Sequence, residues 1–146
     1  NSPNTFEHYT ETTTFTTNKY NLGHYLRSNA VDYFFSAKYN LPYAISVKVS
    51  SGYAMHGNDY PYDYNAPIPV DELPFLKEKS WSRFNLTFQS EYYPVHNLRL
   101  FASYSFDNVK GYEVDGKTAQ YYLDRFSPAY LHGKTNTFMM GFNIGF

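Results

Sequence analysis

The 146-residue chain contains no cysteine. That absence excludes a disulfide-stapled scaffold and a thiolate metal site. No stretch approaches the roughly 18 to 20 apolar residues that a membrane helix needs. Charge of one sign is not in excess either. The formal net charge is −1, which leaves no basic footprint for nucleic acid, so no nucleic-acid partner is expected. The five histidines, His8, His24, His56, His96 and His132, fall into no HxxH or HExxH spacing. No Ser-His-Asp order, nucleophile elbow or phosphate loop is present. Neither an enzyme, a metal site nor a cofactor is expected.

Aromatic rings are present in excess. The chain has 17 Tyr and 13 Phe, 21% aromatic with its one Trp, yet its mean hydropathy is negative. The arrangement of these rings explains the pairing. From position 138 onward every even residue is large and apolar: Phe138, Met140, Phe142, Ile144 and Phe146. Between and before them stand Thr135, Thr137, Gly141, Asn143 and Gly145, with Met139 the exception. A period of two places one face of a strand against an apolar medium and the other against a polar one. A chain ending inside such a strand, on Phe146, looks like the closing strand of a bacterial outer-membrane β-barrel.

The same alternation recurs over residues 97–107, 82–92, 43–53 and 31–39, and more weakly over 5–14. The reading is all-β: an antiparallel transmembrane β-barrel segment of about six strands. Asn40-Leu41-Pro42 and Pro94-Val95-His96 give two short links, whereas 15–30, 54–80 and 108–134 give three long ones. Short periplasmic turns and long extracellular loops alternate in this way in outer-membrane barrels. Loops of that length are unexpected in a compact soluble domain. A soluble β-sandwich alternates too and stays open as an alternative. Six strands fall short of the eight or so that close a barrel, and an open edge in lipid leaves backbone groups unpaired. Residues 1–146 are therefore expected to be the C-terminal portion of one larger barrel domain, or a protomer of a shared one.

Asp32, Lys38, Lys48, Arg83, Glu91, Arg99 and Asp107 fall on the polar side of these strands. They are expected to line the lumen, as a paired network that fills it, as the wall of a channel, or as a binding surface for a charged glycan. Tyr60, Tyr62 and Tyr64 lie in a stretch rich in Tyr, Asp and Asn. Rings stack on sugar C–H faces while amides and carboxylates pair with hydroxyls, so these tyrosines are candidate ligand-binding residues. The same stretch lacks the ordered spacing of a Ca²⁺-binding EF-hand loop.

The run Gly23-His24-Tyr25-Leu26-Arg27-Ser28-Asn29-Ala30-Val31-Asp32-Tyr33 precedes an aromatic strand. It resembles the loop that leads into a barrel strand in the capsule-assembly Wzi family and its relatives in gliding bacteria. Gly23, His24, Leu26 and Asn29 match that loop, while Tyr25 and Arg27 stand where Pro and Gly are usual. The resemblance implies a large barrel in the cell outer membrane that holds or organises capsular or other exopolysaccharide. It adds His24 and Asn29 to the candidate ligand-binding residues. The alternative function is a porin-like channel, or a barrel component of a larger secretion, uptake or gliding complex. The expected partners are outer-membrane lipid, surface polysaccharide and the barrel-assembly machinery, which would recognise Phe146.

Overall fold

Alternating apolar and polar side chains cannot bury one face on a helix, and strand formation follows wherever that alternation runs on. A computed structural model of the chain describes residues 16–17, 20–21, 29–60 and 73–145. Two short strands, β1 (Thr16–Thr17) and β2 (Tyr20–Asn21), pair with each other. The main sheet holds β3 (Ala30–Leu41), β4 (Ile45–Gly57), β5 (Lys79–Val95), β6 (Leu98–Gly111) and β7 (Gly133–Ile144). They form an antiparallel meander in the order β3-β4-β5-β6-β7. The sheet is open and does not close into a barrel. The expected strand over 5–14 lies outside the described residues, as does Phe146.

Both short links are tight turns. In the first, Tyr43 and Ala44 have φ of 66° and 57°. They are the last two of the three residues, 42–44, that join the strands, and positive φ normally calls for Asn or Gly. The register places Val31, Tyr33, Phe35, Tyr39, Val47, Val49, Phe84, Leu86, Phe88, Leu100, Tyr104, Phe138, Met140, Phe142 and Ile144 on one face. Many of these large side chains are exposed, Tyr39 at 70% and Met140 at 74%.

The buried apolar side chains lie on the opposite, polar face, at the long-loop end. The link after β6 was expected to be plain loop, but it contains helix α1 (Ala119–Phe126) and a single 3₁₀ turn, Ala129–Leu131. The Thr118 Oγ1 caps α1 by accepting from the Tyr121 N–H at 3.2 Å. The helix packs over β5 and β6 and buries Trp81, Val109, Val114, Ala54 and Tyr122 beneath it. Phe126 stacks parallel to Tyr122 at 6.4 Å and lies 4.3 Å from the His56 ring. Gly111 makes that approach possible: a Cβ there would stand 2.1 Å from the Ala119 carbonyl oxygen.

Candidate functional site

Strand pairing gathers all seven predicted lumen charges onto the polar face. Three cross-strand rows carry most of them: Asp32–Ala54–Arg83–Val109, Lys38–Lys48–Gln89–Ser103, and Ser46–Glu91–Phe101. Asp107, facing Asn85, is only 5% exposed and is held by Arg83, whose Nε donates at 2.7 Å. The Arg83 Nη2 reaches the same carboxylate oxygen at 2.6 Å. Nearer the short turns, Glu91 is the hub of a second group. It pairs with Arg99, accepts from the Ser46 Oγ at 3.4 Å, and has the Lys38 ammonium at 3.9 Å. Lys48 stands directly opposite Lys38 and Gln89.

Arg99 also lies over the Phe101 ring, 5.3 Å from its centroid. Phe101 covers Gly141 on β7, where a Cβ would meet the ring at 2.7 Å. A ring folded over a strand glycine shields backbone that would otherwise be bare. The arrangement is a network of opposite charges held on a sheet, with mixed hydrogen-bonding groups between them. It presents donors and acceptors together and no nucleophile–base pair. Among the described residues no group of three or more His, Asp or Glu could hold a metal ion.

At the long-loop end, Asn29 is 4% exposed and adopts φ 52°. Its Nδ2 donates to the Asn58 carbonyl at 2.7 Å, its Oδ1 accepts from the Leu76 N–H at 2.8 Å, and its carbonyl accepts from Gly57 N–H at 2.8 Å. The side chain therefore ties the entry to β3 to both ends of the β4–β5 link. The Tyr60 hydroxyl donates to the Pro74 carbonyl, fastening the same link across its base. His24, Tyr62 and Tyr64 lie outside the described residues.

Several residues at this end carried no sequence signal of function. Arg125 on α1 pairs with Asp59 at 2.6 Å and so pins the helix to the β4–β5 link. His56 Nδ1 lies 2.6 Å from the Gly57 carbonyl, which only accepts, so Nδ1 carries the proton. Ser80 Oγ donates to that same carbonyl at 2.6 Å. Burial, reinforced by the Asp59 and Asp115 carboxylates, pushes the Tyr122 phenol above its ordinary value. The usable signal was local: an apolar Tyr122, Leu123 and Phe126 at helical spacing, just after a Thr cap.

Comparison of the chain with protein-family models, with curated proteins and with solved structures finds no match.

Proposed function

We propose that this sheet is part of the wall of an outer-membrane β-barrel, acting at the cell surface in the attachment or organisation of capsular or exopolysaccharide. One observation carries the reading: a continuous exposed apolar face backed by a charged, hydrogen-bonded one. Soluble monomers rarely expose apolar patches beyond a few hundred Å². Here Tyr33, Phe35, Tyr39, Phe88, Leu100, Phe138, Met140 and Phe142 are all at least 40% exposed on the same side. Lipid is the solvent that makes such a face favourable. The apolar side also turns polar towards the long loops, at Ser82, Asn108, Lys110, Lys134 and Asn136, as a band of finite height does.

The packing of α1 over the polar face favours a surface-attachment role above an open porin. A helix held against the inner side of a barrel wall narrows the passage at that end. The resemblance of the Gly23–Asn29 run to the Wzi family loop points the same way and names polysaccharide as the partner. Tyr60, Tyr62 and Tyr64 belong in sequence to the link between β4 and β5, one of the three long ones, and remain the candidate glycan contacts.

Arginine scanning across one strand tests the reading. Phe138→Arg and Met140→Arg should each cost about 2–4 kcal/mol if placed near the bilayer midplane, and should deplete the full-length protein from the outer-membrane fraction. Thr137→Arg, on the polar face, should leave it there. Equal tolerance of all three, or a protein monodisperse in plain buffer, would refute the barrel. For the surface role, Tyr60, Tyr62 and Tyr64 changed together to Ala should reduce capsule retention by intact cells.

A further inference from the structure

We infer that a trough on the polar face, just below α1, is a binding subsite for a single neutral hexose unit. This deepens the surface-polysaccharide reading and depends on it for the origin of the sugar, though not for the geometry.

Six residues in two neighbouring cross-strand rows build the trough: Asp32–Ala54–Arg83 and Phe34–Gly52–Asn85. The central strand contributes only Ala and Gly, so it forms a floor, while β3 and β5 supply the walls. A Cβ at Gly52 would meet nothing closer than 3.9 Å, so the floor is open for lack of a side chain there. The same six residues line a cleft of about 180 Å³. Its walls stand two strand spacings apart, roughly 10 Å. A cavity of about 150 Å³ admits a benzene ring, so this open cleft has room for one six-membered ring, with the exocyclic groups of a pyranose projecting from its mouth. Its loop end is closed, because Ala54 is already part of the cluster under α1.

The walls carry the chemistry that a sugar needs. Phe34 is an aromatic ring on the polar face and is 72% exposed. Of the other rings on that face, Trp81 lies under α1, Phe101 lies over Gly141, and Tyr93 stands apart at the short-turn end, beside Glu91 and Ser46. Phe34 thus offers a platform for the C–H face of a sugar ring. Around it, the Asp32 carboxylate has several acceptor positions and the Arg83 guanidinium donates. The Asn85 amide, whose Oδ1 accepts from the Thr87 Oγ1 at 3.2 Å and whose Nδ2 donates to the Phe106 carbonyl at 3.5 Å, keeps a second N–H and a second lone pair. Asp107 engages Arg83 through Nε and Nη2, and a guanidinium has five N–H donors in all. Because Asp107 balances Arg83, the trough offers no uncompensated guanidinium charge to draw an acidic sugar. A neutral hexose fits better than a uronate.

Saturation-transfer NMR on the detergent-solubilised full-length protein, with glucose, galactose, mannose and glucuronate as probes, tests this. Transfer to at least one neutral hexose is expected, at millimolar affinity and above that to glucuronate. Phe34→Ala should weaken binding by about tenfold, the equivalent of one lost stacking contact of about 1.4 kcal/mol. Gly52→Val fills the floor without removing any contact and should abolish binding, so it serves if Phe34→Ala fails to fold. Heat-modifiable migration on gels reports folding for each variant. No transfer from the native protein, a preference for glucuronate, or unchanged binding in folded Gly52→Val would overturn the proposal. If cells keep their capsule while the purified protein binds no hexose, the trough assignment falls and the surface role stands. Failure of the native protein to enter the membrane sinks the surface role instead.

Discussion

Gly111→Ala should unseat α1. The added Cβ would lie 2.1 Å from the Ala119 carbonyl oxygen, 2.9 Å from its carbon and 3.0 Å from the Leu123 Cγ, where ordinary contact begins at 3.4 Å. The two nearest atoms are backbone, so no rotamer change relieves them, and the helix start must withdraw by about 1.3 Å. A gap of 0.5–1 Å already forfeits a quarter to a half of the dispersion attraction between packed groups. Tyr122 is fully buried under the helix and Trp81 nearly so, and burying such a side chain contributes about 1.5–3 kcal/mol. Losing part of both should destabilise the helix dock by roughly 2–3 kcal/mol. Trp81 is the sole tryptophan, so emission from the detergent-solubilised protein reports the site directly. A red shift and stronger acrylamide quenching are expected in Gly111→Ala. Gly52→Ala, whose new methyl would make only ordinary contacts at 3.9 and 4.0 Å, is the control and should match the native protein. Unchanged emission and quenching in Gly111→Ala would show that α1 does not need this close approach.

Asp107→Asn should cost about 1–2 kcal/mol of thermal stability in detergent. It removes the partner of Arg83 in a nearly buried site, but the arginine is 35% exposed and solvent offsets part of the loss. Differential scanning fluorimetry measures it, and a second change, Arg83→Met, should recover some of the deficit. At the first short turn, Ala44→Gly should raise stability by about 0.5–1 kcal/mol, because relief of positive φ outweighs the extra chain entropy of glycine. A lower melting temperature in Ala44→Gly would show that the turn is not strained.

The sheet was legible because its code has a short period. Leu98, Leu100, Ala102, Tyr104 and Phe106 alternate with mostly polar partners, and each strand of the main sheet lies within four residues of its expected bounds, whereas β1 and β2 fall inside the link 15–30, where loop was expected. The same alternation sorted Asp32, Lys38, Lys48, Arg83, Glu91, Arg99 and Asp107 onto one side before any pairing was known. The pairings themselves were not legible. Arg83 meets Asp107 only because the β5–β6 register sets Asn85 against Asp107, a fact of turn length rather than of composition. Helix α1 escaped notice since eight residues give barely two turns of pattern, and its stability comes from docking more than from propensity. Asn29 read as part of a ligand loop, but its amide contacts are made across 29 and 47 residues of chain. No local pattern reports contacts that distant.

The two hairpin turns also fix the slant of the strands. Ile45, which opens β4, faces Tyr92, yet β5 continues three residues further, to Val95, before turning into β6. If both turns rest at one membrane surface, the sheet climbs two to three residues, about 7–10 Å, for every two strand spacings of about 9.6 Å. That is an inclination of about 35–45°, the range found in transmembrane barrels. At such a slope about 9–11 residues cross the hydrocarbon layer. Counted from Val95, β5 would then have crossed by about Asn85, leaving its turn-distal residues above the lipid. In the proposed barrel, Trp81, Ser80 and the helix packed on them would be a small water-side core, stabilised by ordinary hydrophobic burial, mounted on a wall stabilised by lipid. On the barrel proposal the two halves of a single strand answer to different solvents, and denaturants that act through water should melt the upper half first.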